Sequence, residues 1–68
     1  LMLELYSEGK QPIGITLYNM VGQLVYSDER SLEKGNNTLQ ISPQLSQGVY
    51  FLNISLKDVV RTYRVIKN

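Results

Sequence analysis

The chain has 68 residues, 43% of them hydrophobic and 19% charged, with seven Lys/Arg against six Asp/Glu and neither Cys nor His. That length makes one small domain, which buries only about 60% of its unfolded surface and draws about 3–5 kcal/mol from its core. The near-neutral balance argues against a dedicated nucleic-acid or anionic-membrane surface. The missing Cys and His remove disulfides, Cys/His zinc sites, thiolate nucleophiles and imidazole bases.

In chain order the apolar residues alternate, the period of a half-buried strand. Leu1, Leu3 and Leu5 alternate with Met2, Glu4 and Tyr6. After the turn residues Glu8 to Pro12, Ile13, Ile15 and Leu17 share one face, with Thr16 and Tyr18 on the other. Asn19-Met20-Val21-Gly22 has Asn at the first and Gly at the fourth position of a type I turn. A left-handed glycine there closes a hairpin with a bulge. Residues 23–28 read as the return strand, with Val25 competing against Leu24 and Tyr26 for the inward face. Lys34 to Asn37 reads as a turn, Leu39 and Ile41 as a further strand, and Ser42-Pro43-Gln44-Leu45 as one short turn with Leu45 anchored over the end of the fold. Ser46-Gln47-Gly48 then leads into the longest alternating run, Tyr50, Leu52, Ile54 and Leu56. Lys57-Asp58 is the expected tip of the last hairpin. In the closing strand, 59–67, Val59/Tyr63/Val65 competes with Val60/Ile66 for the inward face. Gly9, Gly22, Gly35 and Gly48 recur every thirteen residues, a rhythm of strand plus turn. The expectation is an all-β antiparallel sandwich of about six to seven strands.

Chemistry finds little support. Asp28-Glu29 is the one adjacent acidic pair; at a strand end the two point to opposite faces, which reads as a solvated turn rather than acid/base work. No Asp-x-Asp-x-Asp run suggests a calcium loop, and no serine sits in a nucleophile elbow. No cofactor and no catalytic residue is expected. The five tyrosines suit strands; as a sugar platform, Tyr6 and Tyr18 are the candidates, Tyr50 facing inward. Alternation puts Arg61 and Lys67 on one face of the last strand and Arg64 on the other. Asn36-Asn37-Thr38 and Asn53-Ile54-Ser55 fit the N-glycosylation triplet, a short pattern that often arises by accident.

Three segments taken together resemble a bacterial family, the C-terminal sorting domains of the type IX secretion system. Ile15 to Tyr26, with Asn19, Gly22 and Gln23, is similar to the family's hairpin of strand, Asn/Asp, two residues, Gly-Gln/Lys and strand. Leu45 to Ile54, with Gly48, Val49 and Tyr50, resembles its Leu, two residues, Gly-Val-Tyr signature. Tyr63 to Asn68 resembles its basic and apolar terminal strand. Two features depart from the pattern: no Pro-Asn-Pro-like segment precedes the first strand, and the last residue is Asn68, with Lys67 beside it. The first departure gives the expectation of a single sorting domain over residues 1–68, trimmed at its N-terminus.

The resemblance implies an Ig-like sandwich and a non-catalytic export signal. Its cargo lies on the N-terminal side of the same chain and reaches the periplasm by an ordinary signal. The outer-membrane type IX machinery then recognises the domain, and a sortase-like peptidase removes it, leaving the cargo secreted or at the cell surface. A signal without reactive groups must be read through shape and strand edges. The recognition contacts are therefore expected from Arg64, Val65, Ile66 and Lys67, with Gly22 and Gly48 forming turns and Tyr50 packing. The rival reading is an Ig- or fibronectin-like spacer, adhesion or carbohydrate-binding module; an exposed edge could also pair with a second copy.

Overall fold

The computed structural model describes all 68 residues and contains six strands and no helix. These are β1 (Met2–Ser7), β2 (Gln11–Asn19), β3 (Leu24–Leu32), β4 (Gly35–Gln40), β5 (Gly48–Ser55) and β6 (Val60–Lys67). Every pairing is antiparallel. One sheet has the order β3-β2-β5-β6, the other is the pair β1-β4, so the fold is a small sandwich with a wide sheet beneath a narrow one.

The wide sheet supplies most of the core. Ile13, Ile15 and Leu17 of β2 are buried, as are Tyr50, Leu52 and Ile54 of β5, Leu32 at the end of β3, and Ile41 just after β4. Leu3, Leu5 and Leu39 of the narrow sheet pack on them half-buried, together with Tyr26, Leu45, Leu56 and Val65. Each fully buried aliphatic side chain contributes about 1.5–3 kcal/mol, so the central strands β2 and β5 hold the domain. Pro12 lies in β2 before its pairing with β5 begins at Gly14, so its missing N–H costs no bond on that side.

The chain crosses between the sheets twice at one end, and a polar side chain fastens each crossing. Ser7, only 2% exposed, donates to the Gly9 carbonyl (2.6 Å) and accepts from Gln11 Nε2 (2.7 Å). Asn37 accepts from the Glu33 N–H (2.9 Å) and donates to the carbonyls of Glu33 (2.9 Å) and Gly35 (3.0 Å). At the opposite end the buried Tyr50 hydroxyl donates to the Ser46 carbonyl (2.7 Å). A strand-borne tyrosine bonding backbone a few residues upstream is the corner device of Ig-type sandwiches.

The structure corrects several expectations. β3 runs on to Leu32, so Asp28-Glu29 is mid-strand rather than in a solvated turn. Polar residues alternate there with one another instead of with apolar ones, which hides the strand from a hydrophobic reading. Gly35 to Asn37 belong to β4 rather than to a turn, because Glu33-Lys34 alone makes the corner. Residues 42–45 form no helical turn, although Leu45 packs against the core. Both open faces are resolved by register. Leu17 pairs Tyr26, which turns Tyr26 inward, and Tyr50 pairs Val65 while Leu52 pairs Tyr63, which turns Val65 and Tyr63 inward.

Candidate edge-strand recognition site

β6 is an outer strand of the wide sheet. The Lys57-Asp58 tip sets its phase, since Leu56 and Val59 exchange backbone bonds of 2.8 and 3.4 Å. Alternating from that pair, residues 61, 63, 65 and 67 bond to β5, while the backbone N–H and C=O of Val60, Thr62, Arg64 and Ile66 face the free edge. The Thr62 hydroxyl and Asn53 Oδ1, at 2.8 Å, occupy one of the close non-bonded pairs this phase requires.

That phase divides the four residues expected to carry recognition. Arg64 and Ile66 have exposed side chains on the outer face, opposite Phe51 and Val49, together with unpaired backbone. Val65 is half-buried and packs on the core. Lys67 is exposed on the inner row beside Leu45 and Pro43. None of Arg61, Arg64 and Lys67 has a carboxylate partner; the one ion pair in the domain is Arg30 with Asp28.

The motif residues gather at the same end of the sheet, where Asn19 pairs Tyr50 and Tyr50 pairs Val65. Asn19 builds the β2–β3 hairpin with its side chain. Its Oδ1 accepts from the N–H groups of Val21 (3.0 Å) and Gln23 (2.9 Å), and its Nδ2 donates to Gln23 Oε1 (2.8 Å). Gly22 closes the turn onto the Asn19 carbonyl at 3.0 Å with φ of +93°, a conformation where a Cβ is costly. The bulge between Leu17 and Tyr18 absorbs the odd residue. Tyr50 stacks its ring edge over Gly48, 3.8 Å from where a Cβ would stand, and Val49 faces outward against Ile66.

Other groups were not legible beforehand. On the opposite edge, Asp28 Oδ2 accepts from Arg30 Nε at 2.7 Å and from the Tyr26 hydroxyl at 3.3 Å, while Arg30 reaches across to the Gln40 carbonyl of β4 at 3.0 Å. The Arg30 hydrogen bond, helped by the Glu29 N–H, holds the Asp28 carboxyl below its ordinary range. Spacing two apart on one strand face was the available signal. No three carboxylates come together. Tyr6 and Tyr18 project from the outer faces of different sheets, on opposite sides of the sandwich, so they form no common stacking platform.

A family model described as "Secretion system C-terminal sorting domain" matches residues 2–68. No curated protein matches the chain, and no solved structure does.

Proposed function

The chain belongs to the secretion system C-terminal sorting domain family, the signals by which the type IX machinery exports a parent protein across the outer membrane, and on that premise we propose that the signal is read at the free edge of β6. The domain is joined on its N-terminal side to a cargo, which it takes to the cell surface or the medium. What supports this site is one observation: β6 combines an unpaired backbone edge with cations that nothing in the domain neutralises. A receptor strand laid beside it would bond to the backbone of Arg64 and Ile66 and meet their side chains on the outer face. Val65 keeps the strand seated on the core, and Lys67 adds an exposed cation at the end of the inner row. Recognition by strand addition needs no reactive group, and the domain works as a non-catalytic signal. A sortase-like peptidase then separates it from the cargo. Asn19, Gly22, Gln23, Gly48, Val49 and Tyr50 act by fixing the end of the sheet on which β6 lies.

The test is export of the full-length parent in its own host after deletion of Val65–Asn68, with cargo folding verified. Accumulation in the periplasm, against surface delivery of the intact protein, is the expected result. Equal delivery of both to the surface would remove this edge from the account.

A further inference from the structure

The narrow sheet leaves part of the wide sheet uncovered, and the uncovered part is a shaped cleft. Leu1, Leu3 and Leu5 form one wall and Leu52, Ile54 and Tyr63 the floor of a cavity of about 290 Å³. Tyr63 faces inward yet is 45% exposed, because no strand lies above it. The flank is open at its backbone too. Leu1 and Ile41 exchange backbone bonds (3.0 and 2.8 Å), so by alternation Leu3, Leu5 and Ser7 bond to β4, while the N–H and C=O of Met2, Glu4 and Tyr6 point away from it. The other edge of that sheet is different, since Arg30 binds Gln40 there.

Charge decides what fits. The inner row of β6 reads Arg61, Tyr63, Val65, Lys67: cation, two apolar groups, cation, with both cations exposed and without carboxylate partners. A strand laid beside β1 would set its own alternate side chains above this row. We propose that the β1 edge and the cleft beneath it form a second strand-docking site. Its occupant is an extended segment of a partner protein whose inward residues run carboxylate, apolar, apolar, carboxylate. Such a strand completes the backbone ladder of β1, covers Tyr63 with apolar groups and neutralises Arg61 and Lys67. A second copy fits poorly. The wide sheet reaches beyond β1 on this flank, so joining two β1 edges would force two β6 strands together, each carrying Arg61, Arg64 and Lys67. This site stands apart from the outer-edge reading of Arg64 and Ile66, because Arg64 lies on the opposite face.

The test is fluorescence anisotropy on the full-length parent. The probe is a blocked, labelled heptapeptide with glutamate at both ends, valine at the third and fifth positions and threonine between. Its control carries lysine at both ends. The acidic peptide should bind and the basic one should bind at least about tenfold more weakly. The double variant Arg61→Glu/Lys67→Glu should reverse that preference. Arg64→Glu, on the outer face, should change acidic-peptide binding by less than about twofold. If the double variant fails to fold, the two peptides on the unaltered protein still decide. Equal binding of both peptides, binding of neither, or equal damage from Arg64→Glu and the double variant would overturn the proposal. So would a parent that sediments as a dimer and refuses the peptide, which would assign the cleft to a second copy. Refusal by a monomeric parent would assign it to upstream chain.

Discussion

The wide sheet ends in two edge strands that solve the same problem in opposite ways. Along β3 the inner-face charges are paired internally: Asp28 holds Arg30, Tyr26 donates to Asp28, and Arg30 ties the strand to Gln40 of the narrow sheet. Both strands leave outward backbone groups without a strand partner, but along β6 three cations are also without carboxylate partners. Unpaired edges carry an aggregation risk that proteins commonly blunt with charge. The two edges thus differ in charge rather than in backbone pairing: β3 holds its inner-face ion pair within the domain, and β6 leaves its cations free, as the proposed docking edge requires.

The largest expected effect falls on the sheet that both edges share. Ile15→Ala removes a fully buried side chain from the central strand and should cost about 3 kcal/mol. That is comparable to the whole stability of a domain this size, so urea unfolding should lose its cooperative transition and both edges should vanish together. Next comes the hairpin that starts β3. Gly22→Val places a branched side chain at φ of +93° and should cost about 1–2 kcal/mol, read as a lower urea midpoint. Asn19→Ala should cost about 1 kcal/mol through its lost turn bonds. Export should fall only as far as folding does in both.

A smaller effect separates the edges by pH. Asp28 has its native pKa lowered chiefly by Arg30. The stability it contributes is therefore present above the unfolded carboxylate value, about 4, and is lost as pH falls through the depressed native value. Thermal melts should show Asp28→Asn less stable than the parent at pH 7, with the gap closing below about pH 4. A gap unchanged down to pH 2 would mean the carboxylate is not what holds this edge. The smallest stability effect belongs to β6. Arg64→Glu should shift stability by no more than about 0.5 kcal/mol, yet cut the surface fraction of the cargo. Glu29→Lys, exposed on β3, should alter neither.

The sequence makes the core legible because Ile13, Ile15, Leu17, Tyr50, Leu52 and Ile54 alternate without interruption, and all six are buried. The Asn19–Gly22 hairpin is legible too, because positive φ at Gly22 and the asparagine side chain are local requirements. What escapes is polar or depends on the phase of strand pairing, neither of which apolar alternation records. The polar second half of β3 is a strand because its backbone pairs with residues 11–16 of β2, while Asp28 and Arg30 pair on its inner face and Arg30 reaches Gln40. Asn36 and Asn37 look like a turn by residue type, yet they pair with Tyr6 and Leu5 of β1, and the Asn37 side chain bonds Glu33 and Gly35 at a sheet crossing. The four residues proposed for recognition alternate plainly in sequence, but which of them face the free edge depends on the phase set at Leu56 and Val59.

That phase gives the most direct test of the account. Ile66→Pro deletes a backbone donor that faces the free edge and leaves the bonds of Val65 and Lys67 to β5 in place, a substitution an edge strand tolerates. In the full-length parent the variant should keep its β-sheet circular dichroism spectrum and cooperative melt while the cargo accumulates in the periplasm. Val65→Pro, which breaks the ladder itself, should lose the fold. A folded Ile66→Pro protein that reaches the cell surface as efficiently as the parent would contradict the claim that the β6 edge is what the secretion machinery reads.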